Sequence, residues 1–211
     1  MPTDRLHARL PDGRPVASTW IRGGGTHVAL LLPGRGYTAR GPVLHYPGLW
    51  FVQHGYDVIS VDYVFSEMSY PDMVAHAAAC AAALWATATR SHRCDHVVLV
   101  GKSLGTQAMA RLIDQTPELR LARCVWLTPI FADNAVMESI EKHKPRSLFV
   151  GGTSDATFDS ERMERALSAT GGSKLVLDGA NHSLERPGDV RASVAAISAL
   201  LDALERFMTK E

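Results

Sequence analysis

Three residues able to act together chemically follow three apolar segments of the chain in order. Ser103 lies in the G-x-S-x-G pattern of residues 101–105, and Asp155 and His182 follow later apolar segments. A serine hydroxyl is a weak nucleophile at neutral pH. It becomes a strong one when a histidine takes its proton and a carboxylate orients that histidine. The trio therefore predicts attack by Ser103 on a carbonyl carbon.

The residues around Ser103 predict the local geometry that such a nucleophile needs. An apolar segment, residues 96–100, stops abruptly at Gly101, and helix-forming residues follow Gly105. A serine on a sharp strand-to-helix turn is a nucleophile elbow, which exposes the hydroxyl above a sheet. We expect Gly101 and Gly105 to be required because the backbone folds back too tightly for side chains there. The chain has 17 glycines, so the pattern gains its weight from the residues around it.

Other carboxylates compete with Asp155 for the role of the acid. Asp159 is four residues further on, at a position that favours an acidic residue opening a helix. Asp178 ends the strand before His182 and is a second rival. Asp62 also follows a strand, where we expect it to stiffen a loop by hydrogen bonding.

Negative charge that develops on a substrate oxygen needs main-chain N–H donors. We expect one donor to be Leu104, directly after the nucleophile, in a helix whose N-terminus also favours an anion. The second should come from the glycine-rich segment 33–37, with Arg35 as the first choice and Gly36 as the second.

Further side chains are candidate substrate contacts, namely Tyr37, Lys102, Tyr63 and Phe65. Lys102 is interpreted as a solvated or loop-bonded side chain, with contact to another loop of the site as the alternative. The Arg35 side chain is either an exposed loop arginine or a group that binds a substrate carboxylate.

Strand-like and helix-like segments alternate along the chain. Strands are predicted over residues 6–10, 15–22, 27–32, 57–62, 96–100, 122–127, 146–150 and 174–177. Helices are predicted over residues 42–54, 71–89, 103–115, 134–142, 160–169 and 190–208. Uniformly apolar strands between helices predict a mostly parallel sheet covered on both faces, with an N-terminal hairpin around residues 11–14. Active residues of such sheets lie at the carboxyl ends of the strands.

Composition limits the protein class. The 211 residues suit one domain, spanning 1–211, and 46% of them are apolar and 21% charged. Lys and Arg number 22, as do Asp and Glu, a balance that disfavours nucleic acid or an anionic membrane as partner. Three cysteines at unrelated spacings and an N-terminus without an apolar run favour a cytoplasmic location. We expect a monomer or homodimer acting on a small-molecule acyl substrate.

One cluster of metal-type ligands occurs, the sequence His-Arg-Cys-Asp-His of residues 92–96. These residues are packed together without the separated pairs of a zinc site. We therefore predict no metal, and the chemistry of Ser103 requires no cofactor.

Taken together, these motifs resemble those of the α/β-hydrolases from about residue 27 to the last helix. The matching segments are Pro33-Gly34-Arg35-Gly36, Gly101-Lys102-Ser103-Leu104-Gly105, Gly152-Thr153-Ser154-Asp155 and Gly179-Ala180-Asn181-His182. The resemblance implies Ser103 as nucleophile, His182 as general base and Asp155 as acid. Pro33-Gly34 replaces the His-Gly that the family often has. Only residues 128–145 stand where many members insert a cap domain, so the chain is similar to the small capless dienelactone-hydrolase and carboxylesterase branches. Dienelactone hydrolases themselves carry cysteine at the elbow.

The function expected from this resemblance is hydrolysis of small carboxylic esters or thioesters through an acyl-enzyme. An acyltransferase or a peptidase would use the same three residues. A non-catalytic ligand-binding or scaffold protein that keeps the elbow is the alternative from a different class.

Overall fold

The computed structural model describes residues 3–91 and 93–209. Within these ranges the chain forms nine strands: β1 (Thr3–Asp4), β2 (Ala8–Arg9), β3 (Pro15–Ile21), β4 (His27–Leu32), β5 (Tyr56–Asp62), β6 (His96–Lys102), β7 (Arg123–Leu127), β8 (Ser147–Gly152) and β9 (Ser173–Leu177). The same ranges contain six α-helices: α1 (Pro42–Gln53), α2 (Tyr70–Ser91), α3 (Leu104–Gln115), α4 (Asn134–His143), α5 (Ser160–Thr170) and α6 (Val190–Thr209).

The strands form a mostly parallel sheet in the order β1-β3-β5-β4-β6-β7-β8-β9, and β2 pairs with β3. Strands β4 to β9 pair in parallel, and β3 runs antiparallel to β5. Because the parallel strands share one direction, the loops after β4, β6, β8 and β9 all leave the same edge of the sheet. This edge carries the predicted site residues.

Two hydrophobic layers hold the helices on the two faces of the sheet. Helices α2 to α5 pack on one face, and α1 and α6 pack on the other. Successive residues of β4 alternate between the layers: Leu30 and Leu32 join the first, whereas Ala29 and Leu31 join the second. Burial on both faces explains why the strand is apolar from Val28 to Leu32.

The predicted elements differ from the structure mainly at their ends. The strand predicted over residues 6–10 is shorter in the structure, where only β2 (Ala8–Arg9) pairs in the hairpin. A 3₁₀ helix at Pro117–Leu121, absent from the prediction, precedes β7. The third helix begins at Leu104 rather than Ser103, because Ser103 has a backbone conformation outside the helical region.

No cap domain interrupts the described part of the chain after the elbow. Between β7 and β8, residues 128–146 contain the single helix α4, which Asp133 caps by accepting the N–H of Ala135. None of the helices in the described ranges combines the length and apolarity needed to cross a bilayer.

Candidate active site

Ser103 occupies a strained turn between β6 and α3. Its φ of 53° and ψ of −122° lie in a region that residues with side chains rarely adopt. The two flanking glycines permit the turn: a Cβ atom at Gly105 would lie 1.9 Å from the carbonyl oxygen of Leu32, and one at Gly101 would lie 2.8 Å from that of Gly105. This is the geometry of a nucleophile elbow.

The hydroxyl of Ser103 meets the predicted histidine. Ser103 Oγ lies 2.8 Å from Nε2 of His182, and Nδ1 of the same ring lies 2.7 Å from Oδ2 of Asp155. With the proton on Nδ1, the ring donates to the carboxylate and leaves Nε2 free to accept the serine proton. The structure thus brings the three residues together in the order required for proton transfer away from Ser103.

Asp155 is buried and held by a residue that the sequence analysis missed. The backbone N–H and the hydroxyl of Thr157 both donate to Oδ1 of Asp155 at 2.8 Å, and the same hydroxyl oxygen lies 3.2 Å from Nδ1 of His182. Burial acts to raise the pKa of Asp155, but the hydrogen bonds from Thr157 and His182 outweigh it and lower this pKa below its usual value. The D-x-T spacing, typical of local side-chain turns, is the signal that would have identified Thr157.

The loops that carry Asp155 and His182 pack directly on each other. The Ser154 N–H donates to the carbonyl of Ala180 at 2.9 Å. Within the second loop, the side chain of Asn181 accepts the backbone N–H groups of Ser183 and Glu185. These contacts fix the separation of the acid and the histidine through the main chain.

The rival carboxylates have other partners. Asp159 caps α5 by accepting the N–H of Arg162. Asp178 is exposed and accepts from the hydroxyl of Thr153. Asp62 ends β5 and accepts from the hydroxyl of Thr19 on the neighbouring strand β3, so this bond joins two strands and not the expected loop.

The glycine-rich loop after β4 passes against the nucleophile. A Cβ atom at Gly34 would lie 3.0 Å from Cβ of Ser103, so this backbone borders the serine directly. Arg35 and Gly36 follow in an exposed turn that is closed by a hydrogen bond from the Tyr37 N–H to the Gly34 carbonyl. Leu104 is the first residue of α3, and its N–H therefore has no carbonyl partner one turn earlier in that helix.

Lys102 and Tyr37, two of the candidate substrate contacts, have hydrogen-bond partners within the protein. Lys102 is 2% exposed and is therefore not solvated. Its ammonium donates to the carbonyl of His182 at 3.1 Å, which is the contact with another loop of the site that the sequence analysis gave as the alternative. The Tyr37 hydroxyl accepts the N–H of Val43 near the start of α1. These contacts could not be predicted, because the sequence pattern gives no information on which loops close over β6.

Tyr63 and Phe65 stack on each other, with ring centroids 5.3 Å apart. Both pack against a cluster that contains Leu104, next to the nucleophile. The hydroxyl of Tyr63 is buried within the protein, and burial raises the pKa of Tyr63 well above its usual value. Phe65 is half-buried and remains the better candidate for an apolar wall of the site.

The metal-type cluster of residues 92–96 cannot be followed completely, since His92 lies outside the described residues. Among residues 3–91 and 93–209, no group of three or more His, Cys, Asp or Glu side chains is arranged to hold a metal ion.

Neither a protein-family model nor a curated protein sequence matches this chain. Solved structures match it over almost its whole length. One is a lidless α/β serine hydrolase from Xanthomonas campestris, with 14% identity and a TM-score of 0.70, which covers 100% of this chain and 98% of that one. Another is a dienelactone hydrolase from Anabaena variabilis, with 18% identity and a TM-score of 0.73, which covers 97% of each chain. An esterase from Pyrococcus furiosus is also similar, with 14% identity and a TM-score of 0.73, and it covers 98% of this chain and 91% of that one. At these identities the likeness establishes the fold: this chain has the α/β-hydrolase fold without a cap, and the predicted fold class is confirmed.

Proposed function

We propose that the protein is a serine hydrolase that cleaves small carboxylic esters or thioesters through an acyl-enzyme intermediate. The observation that carries the proposal is the unbroken series of contacts from Ser103 Oγ through both ring nitrogens of His182 to Asp155. Position on a strained elbow gives Ser103 the exposure that a nucleophile requires.

Attack begins when Ser103 Oγ bonds to the substrate carbonyl carbon while Nε2 of His182 takes the hydroxyl proton. The carbonyl π electrons move to the oxygen and form an oxyanion. The N–H groups of Leu104 and Arg35 stabilise this charge, with Gly36 as the second choice for the loop donor. Asp155 holds the imidazole orientation and stabilises its positive form.

Collapse of the tetrahedral intermediate breaks the bond to the alkoxide or thiolate, which takes the proton from His182 and leaves as alcohol or thiol. The acyl group is now an ester of Ser103. Water then attacks this ester while His182 takes its proton. A second collapse returns that proton to Ser103 and releases the carboxylic acid.

The preference for small substrates is supported by the surroundings of the site. Only α4 lies between β7 and β8, and the side chain of His182 is 37% exposed. The similar Pyrococcus furiosus protein is described as an esterase, which agrees with this chemistry.

The side chain of Arg35 is a candidate for selecting the charge of the acyl group. It is exposed on the loop that borders Ser103, and its guanidinium carbon lies 6.0 Å from the centre of the Tyr70 ring. The Tyr70 hydroxyl is itself fixed by donating to Gln107 at 2.6 Å. We include in the proposal that Arg35 favours acyl groups ending in a carboxylate, because a guanidinium binds planar anions well.

A substrate panel tests the function. Esters, thioesters and amides, graded by acyl length and by acyl charge, are incubated with the wild-type protein and with Ser103→Ala. We expect turnover of short esters or thioesters by the wild type only, with a correctly folded variant by circular dichroism. Equal turnover by Ser103→Ala, or turnover of amides alone, would overturn the proposal.

A further inference from the structure

Lys102 is a buried cation inside the nucleophile elbow. Its side chain is among the largest fully buried ones in the structure, at 2% exposed. Lysine is rarely buried to this degree, because removing an ammonium from water is unfavourable unless specific partners replace the water. Such a residue beside a nucleophile is therefore held there by its contacts.

Those contacts join three loops at the active edge of the sheet. Lys102 ends β6 and precedes Ser103 directly. Its Nζ donates to the main-chain oxygen of His182, 80 residues further along the chain, and lies 4.7 Å from the centre of the Tyr37 ring. Tyr37 belongs to the loop that supplies the proposed oxyanion donors, and its own hydroxyl is fixed by the N–H of Val43. One ammonium thus contacts the elbow, the oxyanion loop and the histidine loop.

The burial of Lys102 and the charged groups around it determine the pH range in which its side chain is an ammonium. Burial lowers the pKa of Lys102 to about 8, and attraction to Asp155 acts in the opposite direction. The ammonium meets His182 at the main-chain oxygen and not at the imidazole. The other titratable side chain that faces it is Tyr37, and Glu185 lies near enough to Tyr37 to act on the pKa of that residue. Below pH 8 the ammonium is therefore a positive charge beside the loop of the proposed base.

We infer that Lys102 is a positioning residue for the proposed hydrolysis, which sets His182 and the oxyanion loop relative to Ser103. This inference rests on the proposed function. Misplacing reacting groups by about 1 Å lowers a rate by about a hundredfold, so a fixed carbonyl at His182 has a direct effect on turnover.

The test compares Lys102→Met, Lys102→Arg and the control Lys142→Met in the full chain. Methionine has an unbranched side chain one atom shorter than that of lysine, with neither charge nor N–H donors. Lys142 is 65% exposed at the end of α4, where it pairs with Asp114. Steady-state kinetics with a short neutral ester are measured from pH 5 to 9, together with thermal unfolding.

For Lys102→Met we expect kcat to fall about ten- to a hundredfold, with KM changed less than about twofold. Lys102→Arg should recover part of kcat, and Lys142→Met should match the wild type. The melting temperature of Lys102→Met should not fall, because a buried charge has been removed.

An unchanged kcat in Lys102→Met would overturn the inference while the wild type remains active. A loss of kcat that only parallels a lower melting temperature would also overturn it, as that result indicates a purely structural lysine. A wild-type protein that hydrolyses no ester would overturn the proposed function instead, and the inference with it.

Discussion

Asp155 and His182 are separated by 27 residues of chain, and their side chains meet at 2.7 Å. The intervening helix α5 and strand β9 return the chain to the same edge of the sheet, so the loops after β8 and β9 become neighbours. Burial of the Asp155 carboxylate, 2% exposed as a side chain, removes water that would compete for the imidazole. The contact therefore gives His182 one orientation and one tautomer.

The choice of the acid is tested by two asparagine variants. Asp155→Asn should lower kcat by about a thousand- to ten-thousandfold, because an amide donates to Nδ1 and selects the wrong tautomer of His182. Asp178→Asn should retain activity, since the exposed Asp178 contacts Thr153 and not the histidine. Initial rates with an activated ester measure both. A large loss of kcat in Asp178→Asn with little loss in Asp155→Asn would show that Asp178, and not Asp155, is the acid.

Thr157 supplies a second test of how the acid is held. Thr157→Val keeps the shape of the side chain but removes the hydroxyl that donates to Asp155 and lies against His182. We expect kcat to fall about tenfold, since one of two bonds that Thr157 makes to the carboxylate is lost. Thr157→Ser, which keeps the hydroxyl, is the matched control and should recover most of kcat. Equal rates for the valine and serine variants would show that the hydroxyl plays no part.

Much of the fold and of the residue trio follows from the sequence because both depend on local patterns. Apolar segments between helices predict a parallel sheet, and the chain order of Ser103, Asp155 and His182 places them on one edge. The burial of Lys102 could not be predicted, since it depends on how the loop of His182, 80 residues away, closes over β6. The D-x-T spacing indicates the contact of Thr157 with Asp155, whereas the approach of Thr157 to His182 depends on the distance between two loops, which no spacing along the chain reports.

The tightness of the elbow gives a stability prediction. Gly105→Ala would place a methyl group 1.9 Å from the main-chain oxygen of Leu32, and neither backbone can move freely within the core. We expect a loss of about 3 kcal/mol or more in the free energy of unfolding, measured by urea titration. Gly48→Ala in α1 is the matched control, because its nearest atom is a flexible methyl of Leu31 at 3.2 Å. Its stability should lie within about 1 kcal/mol of the wild type. Similar stability for Gly105→Ala and Gly48→Ala would contradict the elbow geometry.

The buried ammonium of Lys102 predicts how stability varies with pH. Folding lowers its pKa from 10.5 to about 8, so between these values the unfolded chain binds more protons than the folded one. The free energy of unfolding of the wild type should therefore rise, relative to that of Lys102→Met, as the pH increases from 8 to 10.5. The difference between the two pKa values corresponds to about 3 kcal/mol, at about 1.4 kcal/mol per pH unit.

Urea unfolding of the two proteins at pH 7 and pH 10.5 measures this effect. The difference in the free energy of unfolding between Lys102→Met and the wild type should narrow, or reverse in favour of the wild type, at the higher pH. A gap that stays constant across this range would show that Lys102 keeps its ordinary pKa in the folded protein.

Labelling with a fluorophosphonate, followed by peptide mass spectrometry, tests the central claim that Ser103 is an activated nucleophile. Only a serine whose proton is removed by a neighbouring base reacts rapidly with this reagent. We predict a single adduct on the peptide that contains Ser103, and a labelling rate at least about a hundredfold lower in His182→Ala. An unlabelled Ser103, or equal labelling rates in the wild type and His182→Ala, would contradict the account.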